Sequence, residues 1–274
     1  MAIGDITLTA SARSNLSALS STTKLLEQTQ SHLSTGKKVN SASDNATAYF
    51  ASKGFLNSAN NLATIKGNLS TALESVSSFE ESISNITGIV NQLQGLATQA
   101  LGTTNTATRS GLASQFNALT TQLDQLVNDA TFNGTNLLNS TSATLVVYFN
   151  ETNTTSLTIS GVNITSAGLM GVSVASAAWA TTESIQFNQS YLLTALSTLT
   201  TTAANFGGNA TLIETRQDFT SNMIESLQNA SNSLVSADTN EEGANLQALQ
   251  AQSQLGIVSL GVSGTLAQAI LKIL

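Results

Sequence analysis

The 274 residues contain no cysteine and no proline, and only 9% of them are charged. Without cysteine there is no disulfide, no thiolate nucleophile and no Cys-ligated metal, so stability has to come from packing and association. Without proline nothing removes a backbone donor or clashes with the preceding turn, and helices can run very long. Ordinary soluble domains carry roughly 25% charged residues; here Ser, Thr, Asn, Gln and Ala take their place, which predicts an uncharged polar surface. Nine Lys plus Arg stand against sixteen Asp plus Glu, a net charge of -7. No basic run is present to release counterions from phosphate, which argues against nucleic acid as a partner. Histidine occurs once, at His32, so a second imidazole for zinc is missing and a Ser-His-Asp triad would rest on that residue alone. The adjacent carboxylates Glu80-Glu81 and Glu241-Glu242 point in different directions on a helix, which does not suit paired acid/base work. Gly207-Gly208 lacks the lysine and preceding strand of a phosphate loop and is expected to kink or interrupt a helix. No enzyme activity and no cofactor is expected. The first residues, Met1 to Ile6, have neither the basic nor the apolar region of a secretory signal peptide, so any export is expected to use another route.

What the chain does have is an unusual last segment. Leu255, Val258, Val262, Leu266, Ile270 and Ile273 lie among Ile257, Leu260, Leu271 and Leu274, and a helix there is apolar nearly all round and must be buried. A chain terminus is normally the solvated part of a domain, and neighbouring copies of the same chain are the natural cover. Gln, Ser and Lys272 argue against a membrane span. The segment therefore predicts an assembly subunit.

Heptads dominate the rest. Leu62, Leu69, Val76, Ile83 and Val90 recur at one seam position from Phe55 onward, with Ile65, Ala72, Phe79, Ile86 and Leu93 three residues later, a sustained coiled-coil pattern. At 1.5 Å per residue such a helix would reach roughly 70 Å and form a rod. A second helix is expected from about Arg109 to Ala130, and a third along Leu192, Leu199, Ile213 and Leu227, the partner of the first. Leu16, Leu19, Leu26 and Leu33 mark a shorter helix ahead of them all. Between the arms, Leu145 to Phe149 and Leu157 to Ile159 are rich in β-branched and aromatic residues and bounded by turn residues, which predicts a hairpin. The fold class expected is mainly α: long antiparallel coiled-coil helices made by pairing of the N- and C-terminal arms, with a small β-hairpin in the middle. Residues 1–44 and 237–274 are expected to pair as a terminal domain, and 45–236 to form a helical domain whose β element covers about 132–170. Ser43 or Asp44 is expected to cap the helix that follows, and Glu241 and Glu242 suit the N-terminus of the last helix.

Two sets of motifs carry a family resemblance. The first is Leu33-Ser34-Thr35-Gly36-Lys37-Lys38-Val39-Asn40-Ser41-Ala42-Ser43-Asp44-Asn45. The second comprises Ile213 to Phe219, including Arg216 and Asp218, then Ala237 to Leu249 with Glu241 and Glu242, then Gln254-Leu255-Gly256. With Thr131-Phe132-Asn133-Gly134 between them, they resemble bacterial flagellin, the major subunit of the flagellar filament. The resemblance covers roughly 1–140 and 180–274, and about forty residues separate the arms, so it implies a compact form with little or no variable outer domain.

The resemblance implies a terminal coiled coil lining the filament's channel, a helical homopolymer that serves swimming, and secretion through the flagellar type III apparatus to the extracellular flagellum. By the same resemblance the partners are an export chaperone, the cap and the hook-junction proteins, with no membrane partner. Alternatives are a hook-filament junction protein, or a secreted coiled-coil adhesin or translocator. Because several flagellins are O-glycosylated on exposed hydroxyls, Ser140, Thr141, Ser142, Thr152, Thr154 and Thr155 are candidates, with unmodified loop residues as the alternative. Asn91 to Leu96 aligns with a region that innate-immune receptors recognise through charged side chains in many flagellins; those positions are uncharged here, which implies weak or absent activation.

Overall fold

A computed structural model describes residues 10–170 and 175–273. It is mainly helical: α1 (Ala10–Thr35), α2 (Ala46–Leu101), α3 (Thr106–Asp129), strands β1 (Thr144–Tyr148) and β2 (Ser156–Ser160), the short α4 (Ser166–Met170), a 3-10 turn (Ser176–Trp179), α5 (Thr182–Val235) and α6 (Thr239–Ile273). The chain divides into two compact units, residues 1–58 with 225–274 and residues 59–224. Helices α2 and α5 contribute to both.

In the unit of residues 59–224, the heptads become the core. On α2 the buried side chains are Ile65, Leu69, Ala72, Val76, Phe79, Ile83, Ile86, Val90, Leu93, Ala97 and Ala100, an unbroken alternation of four- and three-residue steps that keeps one stripe inward. Helix α3 does the same with Arg109, Ala113, Phe116, Thr120, Leu123 and Val127, and α5 with Ile185, Leu192, Ala195, Leu199, Phe206 and Ile213. Aromatic edges fix the contacts: Phe79 meets Phe206 with ring centroids 6.2 Å apart, and Phe116 meets Trp179 at 5.0 Å. The two strands pair antiparallel from Thr144↔Ser160 to Tyr148↔Ser156, and their inward residues Val147 and Ile159 join this core.

The expected break at Gly207-Gly208 does not occur; α5 is continuous through both residues and through Thr220. A mid-helix glycine is unfavourable by roughly 1 kcal/mol relative to alanine, too little to interrupt a helix whose flanking residues Phe206 and Ile213 are buried. A side chain at Gly207 would stand 3.1 Å from Glu80 Oε1, whereas at Gly208 it would meet nothing within 4 Å. Much of the hydroxyl surface turns on itself: Thr198, Thr200, Thr201 and Thr202 each donate to the carbonyl four residues back, a local bond that satisfies the hydroxyl without a charged neighbour.

In the other unit, α1 and α6 run antiparallel. Gly36, at φ +67°, ends α1 in the left-handed region that glycine adopts without strain. Its carbonyl then accepts from Ala237 N at 3.0 Å while Lys38 N donates to Val235 O at 2.7 Å, tying the end of α1 to the turn between α5 and α6. Asp44 does not cap α2 as expected. Its Oδ2 turns back to accept from Asn40 N and Ser41 N, both 2.9 Å, and the cap is Asn45, whose Oδ1 accepts from Ala48 N at 3.0 Å. Asp238 caps α6 through Asn240 N and Glu241 N, with Glu241 and Glu242 in the first turn, where the helix dipole favours negative charge. Ser52 and Ser231 share a buried hydrogen bond of 2.8 Å between α2 and α5.

Candidate functional site

The face that α6 turns to α1 differs sharply from the faces it leaves open. Beyond Glu242 and Gly243 in the first turn, partly covered positions on α6 are Leu246, Leu249, Ser253, Gly256, Leu260 and Ser263, a heptad seam in which half the residues are small or polar. The opposing seam on α1 is Ala12, Asn15, Leu19, Thr22, Leu26, Thr29 and His32, again alternating apolar with polar. At Gly256 a Cβ would stand 3.2 Å from Leu19 Cδ1, so the missing side chain is what lets the two helices approach there. No such contact surrounds Gly261 or Gly264.

A second set of apolar side chains points away from the seam. Leu255 is 70% exposed, Val258 63%, Leu266 59% and Val262 53%, in a stretch from Gly243 to Leu271 that carries no charged residue. Single exposed apolar residues are ordinary, but a contiguous stripe of them marks an interaction surface. The side chains of Ile270 and Ile273 lie outside the described residues. On α1, Leu19, Leu26 and Leu33 are half-buried, whereas Leu16 is 49% exposed because it sits one residue beyond the seam position Asn15.

His32 is less solvated than its helix position suggests. Its Nδ1 donates to Glu242 Oε1 at 2.7 Å, with the two side chains 11% and 16% exposed, and sequence reading missed this because 210 residues separate the partners. Asp44 is held below the usual carboxylate range, chiefly by the Asn40 backbone N–H and next by that of Ser41. Lys37 forms an antiparallel bridge with Ser236, and Asn40 Nδ2 donates to Lys37 O. Ser41 and Ala42 are exposed within this turn.

Other predicted residues fall elsewhere. Leu69, Val76, Ile83, Val90, Leu192, Leu199 and Ile213 are buried, while Leu62 and Leu227 are half-buried; Leu227 falls in the unit of residues 1–58 and 225–274. Asn133 and Gly134 have φ +48° and +78° and form the turn closed by Phe132 and Thr135. Arg216 lies over the Phe149 ring at 5.0 Å, holding the end of the hairpin to α5; Asp218 and Phe219 are exposed. The Thr152 and Thr154 hydroxyls accept from Asn150 Nδ2, the Ser140 hydroxyl accepts from Ser142 N, and Thr141, Ser142 and Thr155 are exposed.

Sequence reading also missed Arg109, a buried residue whose guanidinium donates to Ala100 O, Thr103 O and Thr182 Oγ1, so that one side chain joins the ends of α2 and α3 to the start of α5. Asp124 likewise takes both the Ser166 N–H and its hydroxyl at 2.7 Å. A cleft of about 320 Å³ between α2 and β1 is lined by Asn68, Ser75, Asn133 and Tyr148 among others, with no Asp, Glu, His, Lys or Arg, so its walls supply no general acid/base pair. Among the described residues no group of three or more His, Asp or Glu is placed to hold a metal, and no helix is long and apolar enough to cross a membrane.

Residues 6–143 match the family model of the bacterial flagellin N-terminal helical region. The chain is 30% identical over 274 residues to the flagellin FljN of Caulobacter vibrioides, covering 100% of this chain and 99% of that one. It is also 30% identical over 284 residues to a flagellin of Brucella melitensis, covering 99% of each. Among solved structures, Bacillus cereus flagellin is similar over 56% of this chain and 88% of its own, with a TM-score of 0.49 and 18% identity. A chain that matches the N-terminal family model over half its length and flagellins from end to end belongs to the bacterial flagellin family: it is a structural subunit that polymerises into the flagellar filament, not an enzyme.

Proposed function

We propose that the α1–α6 pair is the element through which subunits join and that it lines the filament channel. One observation carries this reading: in the seam that α6 shares with its own α1, Leu246, Leu249 and Leu260 are interrupted by Ser253, Gly256 and Ser263, while Leu255, Val258, Val262 and Leu266 are left outward. The pairing available within one chain is thus the weaker one, and the larger apolar gain waits for neighbouring copies. Each such side chain contributes about 1.5 to 3 kcal/mol when fully buried, opposed by the entropy of ordering the arm, so folding of the arm and joining the filament are coupled. The contact is heterologous and open-ended, which builds a helical polymer rather than a ring.

Residues 1–44 and 237–274 then constitute the terminal domain and 45–236 the helical rod domain with its small β element. The subunit leaves the cell unfolded through the flagellar type III apparatus, guarded by an export chaperone, and adds beneath the cap beyond the hook-junction proteins. A cysteine-free chain cannot crosslink in transit, and a proline-free one avoids isomerisation steps of tens of seconds; both suit that route. Thr141, Ser142 and Thr155 are the hairpin-region hydroxyls best placed for glycosylation. The test is Val258→Asp with Val262→Asp, scored by sedimentation of polymer on native seeds. The reading requires loss of polymer with the helical unit still folded by circular dichroism; polymer at the native yield would refute it.

A further inference from the structure

The leucines of the α1 seam, Leu19, Leu26 and Leu33, repeat every seven residues. An apolar pattern of that period is indifferent to a slip of one heptad, about 10 Å along the helix at 1.5 Å per residue. Yet the arm has a single alignment. Asn15 Nδ2 donates to Ser259 Oγ at 2.9 Å, Leu19 faces Gly256, His32 pairs with Glu242, and Lys37 bridges Ser236. The residue numbers in these four pairs add to between 273 and 275, so one register holds along the whole arm.

We propose that the polar pair His32–Glu242, with the glycine at 256, sets the register of the assembly arm rather than its strength. A slip of one heptad would withdraw the Glu242 carboxylate from the His32 imidazole and leave two largely covered polar groups without partners, an expensive outcome away from water. The same slip in one direction would bring Leu249 to the place of Gly256, where even a Cβ stands only 3.2 Å from Leu19 Cδ1. Polar groups at single seam positions are known to specify alignment at some expense in stability. Register matters here because it decides where along α1 the stripe of Leu255, Val258, Val262 and Leu266 is displayed to neighbours. This inference rests on the α1–α6 pair being the assembly arm.

The absence of native cysteine makes the test direct. Two reporters are built: Asn15→Cys with Ser259→Cys, whose side chains touch in the native alignment, and Thr22→Cys with Ser259→Cys, which meet only after a one-heptad slip. Each is placed in the native chain, in His32→Leu with Glu242→Leu, and in His32→Gln with Glu242→Gln, then assembled as a minority species with native subunits on native seeds, so that a disulfide forms within one chain. After mild oxidation the intrachain product is read by gel mobility. In the native and Gln/Gln backgrounds the first reporter closes and the second does not; in the Leu/Leu background the slipped product becomes comparable to the native one. Failure of the slipped product to appear in Leu/Leu subunits, whether assembled or left in solution, overturns the register role. Failure of both reporters in native filaments overturns the α1–α6 pairing beneath it.

Discussion

Replacing Leu255 and Leu266 with alanine should weaken the polymer more than it weakens the free subunit. Each substitution removes three carbons, worth about 2.4 kcal/mol when moved wholly out of water at about 0.8 kcal/mol per CH₂. In the free chain these side chains are 70% and 59% exposed, so the fraction that association can still bury is worth about 1.5 kcal/mol for each, or about 3 kcal/mol for the pair. With a tenfold change for every 1.4 kcal/mol, the critical concentration for elongation from native seeds should rise on the order of a hundredfold. Alanine is also the better helix former, so a weakened helix cannot explain the loss. The assay is the monomer concentration remaining in the supernatant after seeded growth, compared with the urea midpoint of the unassembled chain. A critical concentration within a few-fold of native would refute the reasoning. So would a fall in the urea midpoint as large as the loss of polymer, since it would mean that the subunit itself buries these leucines.

Four further outcomes follow from the packing. Arg109→Ala should lower the stability of the helical unit by about 3 kcal/mol, because charged hydrogen bonds contribute about 1.5 to 3 kcal/mol and the buried Ala100 carbonyl and the partly buried Thr103 carbonyl lose their donor; Arg109→Lys, unable to span the same acceptors, should rescue little of the urea midpoint. Gly208→Ala should stabilise by about 0.5 to 1 kcal/mol in thermal melts, since the helix is continuous and the space open; a loss instead would indicate that the position must bend. Asp44, whose carboxyl titrates below its ordinary value in the fold, contributes stability that is present above the unfolded value and lost as pH falls through the folded one. Carbon NMR of that carboxyl should therefore show a midpoint below that of a free peptide spanning 36–48, and Asp44→Asn should flatten this part of the acid response. Purified monomer should give little or no dose-dependent signal in an innate-immune reporter assay, because Asn91 to Leu96 offers no charged side chain.

Legibility in the sequence followed the range of the interaction. The stripe from Ile65 to Ala100 could be read directly because helical period and burial are the same fact seen twice, and the hairpin because its β-branched runs are bounded by turn residues. The outward stripe of α6 was legible for the same reason: no arrangement within one chain could hide it. Contacts between distant segments were not. Nothing local to His32 names Glu242, and nothing local to Arg109 names Thr182. Leu137, Leu138 and Ile164 lie in irregular segments without periodicity, yet all three are fully buried, held by backbone hydrogen bonds such as Ile164 N to Leu138 O. The break expected at Gly207-Gly208 weighed local propensity above tertiary packing, and the cap expected of Asp44 overlooked Asn45, a residue of equal capping strength one position on.

The stretch from Gly243 to Leu271 has a consequence for the environment in which such a polymer works. Contacts made by ion pairs fade as dissolved salt shortens the reach of a charge, from about 30 Å at 0.01 M to about 8 Å at physiological ionic strength. A stretch of α6 with no charge over that length has nothing to lose in this way, and sulfate, which is excluded from apolar surface, tightens such contacts. Subunit contacts made through this face of α6 should therefore hold as the salt concentration rises.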